Sequence, residues 1–423
     1  MPLNKPVRFI ALFWGLVVFM PVGLNYLAFF ALALCMLFQG ARMERVRRVR
    51  RHMLFWPMAA YVAWTALVLL VQPVWYAETP SNLWHCARIV LTLALALALT
   101  PDEAIWALRG FVLAVALSVL LIGLHYSVGL ATLPLWRNLF EYSGNKSISN
   151  AILMSLLASS ALVLALAGTG RLRVAAAVVA LVALVVIVVA LPNRTSLFAV
   201  LGAPAVAAVH RWRHNKRQLL LMVAGATALS ALFVIAVPTV QTKLVLGLNE
   251  IQQAGVGEVS LASWNVRVQL ARHTGRMMLE KPWMGWGIGA WNDQWRKRVP
   301  PLIADFNMPH DDFLWMGAQA GVPGAMSWLA IMLAACWVGW RREDLTGRLV
   351  FIAALTLLFS AMVNSATRDG VIGLSLLWIV GLYLRLGTEA GAPFFRVLGL
   401  REPIALQQRV KATGEDPAQP GRP

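Results

Sequence analysis

Charged residues are scarce in this chain. They make up 13% of its 423 residues, whereas 59% are hydrophobic, and the mean hydropathy is +0.67. Soluble globular domains carry charge on about a quarter of their residues, so this composition excludes an ordinary soluble protein. Acidic residues are the scarcest: 19 Asp and Glu stand against 37 Lys and Arg, for a net charge of +18 at pH 7.

Cysteine is also rare. The three cysteines lie far apart, in or beside apolar stretches, and form no CxxC or Cys/His pattern. This excludes a disulfide framework or a cysteine-ligated metal cluster. HExxH, DxD and Walker A motifs are absent, and the glycines of WMGWGIGAWNDQW do not satisfy GxGxxG. We therefore expect no metal, nucleotide or other cofactor.

Long apolar stretches are abundant. Each approaches the ~20 residues that cross a bilayer as a helix, and only helices and closed barrels satisfy the backbone in lipid. The sequence predicts an all-α polytopic membrane protein, with about twelve transmembrane helices and one large outer loop, 238–308. Two helices form a hairpin within 9–38, where Pro21, Gly23 and Asn25 interrupt the apolar run. The other predicted spans are 53–71, 86–100, 108–126, 148–168, 174–191, 195–209, 219–237, 312–340, 349–363 and 370–386.

The basic residues orient these spans. Most of them fall in alternate short loops and in the two tails, which the positive-inside rule assigns to the cytoplasm. The +18 charge is thus mainly a topological feature, and it also favours contact with anionic lipids. Nucleic-acid binding is not expected, because the basic residues are dispersed and lack interleaved aromatics. Residues 1–386 form the transmembrane domain, and the tail 387–423 is predicted to be partly disordered.

The large outer loop has its own pattern. ASWNVRVQLARHTGRMMLEKP has helical spacing, with Val266, Leu270 and Met277 on one side. It predicts an amphipathic helix near the membrane surface. The tryptophans that follow are typical of an interfacial belt, and a sugar-stacking platform is the alternative; they are Trp283, Trp286, Trp291 and Trp295.

A few outer cations are not explained by topology. Arg194 precedes an apolar run, 197–209, that reaches only ~20 Å as a helix, so the helix must include Arg194 to cross ~30 Å. It either faces an internal cavity or snorkels to the headgroups, and Arg88 is similarly ambiguous. Arg368 and Asp369 either serve a site or pair with each other in a solvated turn.

His310 follows Pro309 and precedes Asp311 and Asp312. Acids at this point suit the start of a helix, where anions also bind. Consecutive helical residues do not share a face, so a metal site is disfavoured. His310 is either a titratable base at the boundary between loop and membrane or an interfacial histidine satisfied by the two acids.

The arrangement resembles the O-antigen ligases, which form a superfamily with O-antigen polymerases and protein O-oligosaccharyltransferases. Their motif is His, then Asn, Ser or Gln, nine residues, Gly, two residues and a final Gly or similar residue. His310, Gly321 and Gly324 match it, and Asp311 departs from it. By position, Arg194 and Arg267 match two family arginines, and Asp369 is similar in placement to a late acidic residue.

The resemblance implies a metal-independent, inverting glycosyltransferase. It would transfer O-antigen from an undecaprenyl diphosphate donor to lipid A-core at the periplasmic face of the bacterial inner membrane. His310 would be the general base, and arginines would bind the diphosphate. The candidate substrate-binding residues are Arg194, Arg267, Arg88, Arg368 and Asp369.

Three alternatives stay open. An O-antigen polymerase or a protein O-oligosaccharyltransferase would use the same donor with another acceptor. A flippase or transporter of an anionic lipid would also place cations in an outward cavity, but it would need sites accessible from both faces.

Overall fold

The structure is a computed structural model that describes residues 5–38, 41–136, 139, 146–191, 205, 208–210, 212, 214–236 and 238–400. Every regular element in these ranges is helical. The helices are α1 Lys5–Leu16, α2 Val22–Phe38, α3 Arg42–Arg51, α4 Phe55–Val71, α5 Thr79–Ala98, α6 Pro101–Val128, α7 Lys146–Ala167, α8 Gly170–Val189, α9 Lys216–Ala236, α10 Pro238–Gly255, α11 Ser263–Glu280, α12 Trp291–Arg296, α13 Asp312–Trp340, α14 Leu345–Asn364, α15 Gly370–Gly387 and α16 Pro393–Val397, with a 3-10 turn at Pro301–Ile303.

The helices confirm a polytopic membrane protein but not twelve spans. In the described ranges, six helices are long and apolar enough to cross a membrane, or seven if the bent pair α2 and α3 is one span. Two shorter apolar helices lie at Phe55–Val71 and Ile372–Gly387. Most of the predicted span 195–209 lies outside the described residues. The two helices predicted within 9–38 are present as α1 and α2.

One end of the bundle is closed by buried arginines. Arg45 of α3 donates to both carboxylate oxygens of Glu103, each at 2.8 Å, and to the carbonyl of Ala98. Arg385, near the end of α15, donates to the carbonyl of Leu99 at 2.6 Å. We call this the basic end, because it includes the arginine-rich α3.

Part of the predicted tail is structured at this basic end. Helix α16 buries Phe394 and Phe395, and Arg109 of α6 donates to the carbonyls of Arg396 and Val397. The tail is therefore packed on the bundle as far as α16, and residues 401–423 lie outside the described part of the chain.

Helix α13 is broken in the middle. Gly321 has φ 69° and ψ −175°, and Pro323 follows it. A Cβ at Gly321 would overlap the carbonyl oxygen of Trp283, so the left-handed φ and the lack of a side chain are both required. A Cβ at Gly324 would overlap that of Ala320, which shows that the chain bends sharply here.

The break leaves the carbonyl oxygens of Ala318, Gln319 and Ala320 without helical partners, and N–H groups of other segments donate to them. Trp286 N donates to Ala318 O at 2.9 Å, and Gly287 N donates to Gln319 O at 3.0 Å. Ala320 O accepts from Trp64 Nε1 of α4 at 2.8 Å. The glycine-rich segment 282–289 is thereby fixed to the broken helix.

The order of contacts gives the direction of the first segment of α13. Tyr61 contacts Met316, and Trp64 contacts Ala320, so the segment runs alongside α4 in the same direction. The chain folds back at Gly321, because the second segment returns to the basic end, where Arg342 donates to the carbonyls of Gly387 and Glu389. Residues 322–340 alone make a helix of about 28 Å. The start of α13 therefore lies inside the bundle, deeper than the break.

The predicted amphipathic helix is confirmed as α11, which buries Val266, Leu270 and Met277. The interfacial-belt interpretation of the tryptophans is wrong for two of them. Trp291 and Trp295 are buried and stack at 5.2 Å, with Trp291 Nε1 donating to Thr274 and Trp295 Nε1 to the carbonyl of Ile303. Only Trp283 is largely exposed, at 74%. Buried indole N–H groups need partners, so this cluster is a small core.

Gly321→Ala tests the break. We expect a loss of about 2 kcal/mol or more of stability, because an alanine at positive φ is strained and its Cβ overlaps a backbone carbonyl. Thermal unfolding of purified protein measures it. The control is Gly275→Ala in α11, where a Cβ meets nothing within 4 Å and helix propensity favours alanine. Equal melting temperatures for both variants would contradict the assignment.

Candidate active site

His310 lies immediately before α13. Its backbone is left-handed, with φ 55°, which is uncommon outside glycine and is found disproportionately at functional sites. Asp311 is the N-cap of α13, and its carboxylate accepts from Leu314 N at 3.0 Å. The cap fixes where the helix begins and hence where the imidazole lies.

The imidazole is partly buried next to two arginines. Burial, then the charges of Arg267 and Arg368, lower the pKa of His310 to about 4, and a hydrogen bond with Asn364 partly offsets them. Nδ1 has no hydrogen-bond partner among the described residues. At neutral pH the ring is therefore uncharged and has a lone pair available to accept a proton.

The two arginines approach from different elements. Arg267 belongs to α11, where its guanidinium lies 5.7 Å from the centroid of the Trp264 ring. Arg368 belongs to the loop between α14 and α15, is 9% exposed, and lies 5.7 Å from the centroid of Trp315. Nε of Arg368 is buried without a hydrogen-bond partner in the described ranges. Two segments distant in sequence thus bring positive charge to one imidazole.

The loop that carries Arg368 is held by Asp312. This carboxylate is fully buried, and its Oδ2 accepts from the backbone N–H of Thr367 at 2.8 Å and from its hydroxyl at 2.6 Å. Asp312 follows the cap of the helix that begins beside His310. The histidine and the Arg368 loop are therefore fixed to each other through one side chain.

Arg88 holds the same loop from the other side. It is fully buried, and its guanidinium donates to the carbonyls of Thr367, Arg368 and Asp369 at 3.0, 2.5 and 2.8 Å. A further N–H donates to the hydroxyl of Tyr26 at 2.9 Å. These contacts favour a positioning role for Arg88 over the direct substrate contact expected from the sequence.

Of the two remaining candidate residues, Asp369 and Arg194, the structure describes only Asp369. Asp369 accepts from Ile372 N at 2.9 Å, in the first turn of α15, which is the arrangement of an N-terminal cap. Arg194 lies outside the described residues. The structure thus brings His310, Arg267 and Arg368 together, with Arg88 and Asp369 supporting the loop.

Two residues of the site were missed from the sequence. From the sequence alone, Asp312 is a helix-start acid, one of two acids that could satisfy His310 and a disfavoured metal ligand, and Asn364 lies beyond the end of a predicted span. An apolar span that begins with a carboxylate is a detectable sign for Asp312, because such a charge needs a partner inside the protein. Nothing in the local sequence of Asn364 indicates its contact with His310.

Residues 179–329 match the family model described as O-antigen ligase. This match supports membership of the O-antigen ligase/polymerase superfamily. The match includes His310, Arg267 and both motif glycines, and it ends before Arg368. No curated protein matches the chain. Members of this superfamily are glycosyltransferase-like ligases and polymerases, which implies substrates in which a glycan is joined to a lipid.

The structure accounts for the O-antigen ligase motif in physical terms. In this chain the residue at the second position, Asp311, is the N-cap of α13, a role in which Asp serves as well as the Asn or Ser of the motif. Gly321 allows the break in α13, and Gly324 allows the chain to bend there. The motif thus fixes the imidazole relative to a broken helix.

Arg88→Lys tests whether the Arg88 guanidinium holds the loop of residues 365–369 in place. Lysine keeps the charge but cannot reach three carbonyls with a planar fork, so we expect faster hydrogen exchange at the amides of residues 365–369. Exchange measured by mass spectrometry on the purified protein reports it. The exposed Arg276→Lys in α11 is the matched control. Unchanged exchange in Arg88→Lys would show that the loop does not depend on this guanidinium.

Proposed function

We propose that this protein is an O-antigen ligase. It transfers glycan from an undecaprenyl diphosphate donor to a sugar of lipid A-core, with His310 as the general base. The observation that carries the proposal is the convergence of Arg267 and Arg368 on the uncharged imidazole of His310.

The chemistry requires two things of the site. The acceptor hydroxyl must lose a proton as it attacks the anomeric carbon, and the departing diphosphate must be stabilised as it gains negative charge. A neutral imidazole can accept the proton, and guanidinium groups donate paired hydrogen bonds to phosphate oxygens. Attack opposite the leaving group inverts the anomeric centre, and the activated donor supplies the energy.

The bound donor would raise the pKa of His310 and so make the imidazole a stronger base. In the unliganded site, burial and two positive charges lower the pKa of His310 to about 4, which makes the imidazole a weak base. A bound diphosphate brings negative charge next to Arg267 and Arg368, and this raises the pKa of a neighbouring imidazole. The base would therefore be strongest when the donor is in place.

In this proposal Arg267 and Arg368 contact the diphosphate, and Arg194 contributes from the segment that precedes α9. Arg88 and Asp369 hold the loop that presents Arg368. The basic end faces the cytoplasm and the site faces the periplasm, in the inner membrane. Both termini are cytoplasmic.

The buried ion pairs at the basic end favour a catalyst over a flippase. Arg45 and Glu103 satisfy each other there, and this leaves neither free for a travelling anionic headgroup. A transporter would need binding groups accessible from that face as well.

Purified protein, donor and lipid A-core in detergent test the function. We expect capped lipid A-core with wild-type protein and at least a hundredfold loss in His310→Gln, because general-base catalysis typically contributes that much. His273→Gln, on α11, is the matched control and should retain activity. Transfer by His310→Gln at the wild-type rate would refute the role of the imidazole.

The same assay separates the related enzymes by acceptor. Donor glycan that grows longer without lipid A-core would identify a polymerase, and a glycosylated protein would identify an O-oligosaccharyltransferase. Movement of labelled donor across liposomes without any transfer would identify a flippase.

The pH profile provides a further prediction. The base must be deprotonated, so kcat/KM should fall only as the pH drops through about 4, the pKa of His310 in the free protein. The acidic limb of kcat, which reports the substrate complex, should lie at higher pH because the bound diphosphate raises that pKa. Initial rates from about pH 3 to 8, at limiting and at saturating donor, measure both limbs. Limbs at the same pH would contradict donor-assisted activation.

A further inference from the structure

A cavity of about 330 Å³ lies beside the glycine-rich segment, apart from His310. One wall is the end of α4, from Val68 to Pro73, and the other is the segment from Lys281 to Gly287. Gln72 joins the walls, because its Oε1 accepts from Ile288 N at 2.7 Å and its Nε2 donates to the carbonyl of Val74 at 3.1 Å. Gly285 and Gly287 lie against Gln319 and Gln72, so the back of the cavity is firmly packed.

The cavity has a cation at its edge. Lys281 is exposed, its ammonium lies 4.1 Å from the centroid of the Trp286 ring, and it forms no ion pair with any described residue. Trp286 is held in place, since its Nε1 donates to the carbonyl of Met277 at 3.0 Å. Arg298 lies over the same ring at 4.6 Å, but its guanidinium is bound to Glu280 at 2.7 Å. Lys281 is thus the cation left for an external anion.

The rest of the lining is apolar and belongs at a membrane surface. Val68 and Val71 lie in the last turn of an apolar helix, and Val71 is 54% exposed. Trp283 in the wall and Trp75 close by are exposed by 74% and 64%. Exposed tryptophans beside a helix end are typical of the headgroup region. An amphiphile could therefore keep its chains in the bilayer while its headgroup enters the cavity.

We propose that this cavity binds the phosphorylated headgroup of a membrane lipid, with Lys281 as the phosphate ligand and Trp286 and Trp283 beside the headgroup. The volume admits one phosphate with a sugar or glycerol unit. Two sources share this chemistry: a phosphorylated lipid A-type glycolipid and an anionic phospholipid. The cavity is separate from the His310 cluster, because none of its lining residues belongs to that cluster.

Lipid binding to the purified full-length chain tests the site by native mass spectrometry in detergent. The probes are bisphosphorylated lipid A, the same lipid after phosphate removal, and phosphatidylglycerol. We expect Lys281→Gln to bind a phosphorylated lipid about tenfold more weakly, which is the scale of one charge-assisted contact. Lys281→Arg should bind it well. Lys297→Gln is the matched control, since Lys297 also directly follows a helix of this region but is paired with Asp293 at 2.7 Å.

The lipids that Lys281→Gln binds more weakly distinguish the two possible sources of the headgroup. A loss confined to lipid A supports a glycolipid site, and a loss for both phosphorylated lipids supports a general phosphate site. Equal binding of lipid A before and after phosphate removal would overturn the proposal, as would wild-type binding of every probe by Lys281→Gln. His310→Ala should bind all probes normally, so failure of the glycosyltransferase proposal would leave this result unaffected.

Discussion

The need to satisfy backbone groups away from water governs this structure. A helix that breaks inside a membrane protein releases carbonyl oxygens, and each costs several kcal/mol if it stays unpaired. Helix α13 breaks at Gly321, and its free carbonyls at Ala318, Gln319 and Ala320 are bound by Trp286 N, Gly287 N and Trp64 Nε1. The glycine-rich segment 282–289 is therefore packed into the helix bundle, and its three glycines with positive φ, Gly285, Gly287 and Gly289, allow its close contacts.

The break also determines where the site lies. Since the first segment of α13 runs alongside α4 toward the break, its start is carried inward, and Asp312 is fully buried. A buried carboxylate needs donors, and Thr367 supplies two. Arg88 is equally buried and needs acceptors, which the loop carbonyls supply. The loop of residues 365–369 thus hydrogen-bonds to both the Asp312 carboxylate and the Arg88 guanidinium, and its own Arg368 is fixed in position as a result.

The sequence was sufficient for part of this organisation. Apolar spans of the right length predicted most helices. The spacing of apolar residues predicted α11, because a helix with one buried face repeats apolar residues about every 3.6 positions. The histidine motif made His310 a candidate site residue, and its position in the large outer loop made Arg267 another. The tryptophans could not be assigned in this way, since a belt and a small core have the same composition. Only tertiary contacts distinguish Trp291, which is buried and bonded to Thr274, from the exposed Trp283.

Arg88 and Arg368 illustrate a second limit of sequence reasoning. Both are outer cations and candidate substrate-binding residues in the sequence, yet Arg88 donates to four acceptors, whereas Arg368 lies against the ring of Trp315. Their difference depends on a loop nearly 280 residues away from Arg88 in sequence. Local pattern can detect that a charge is out of place, but only the fold shows whether the protein itself satisfies it.

Charge balance distinguishes the two ends of the bundle. At the basic end, the buried Arg45 has the carboxylate of Glu103, and Arg385 has Glu389 at 2.6 Å. On the side of the bundle away from the basic end, Arg368 is buried against the face of Trp315 and forms no ion pair with any described residue. Burial lowers the pKa of Arg368, whereas the negative charges of Asp312 and Glu78 raise it. Desolvated cations are costly unless an anion compensates them. The site keeps such a cation beside an uncharged imidazole, and the diphosphate of the proposed donor would compensate its charge.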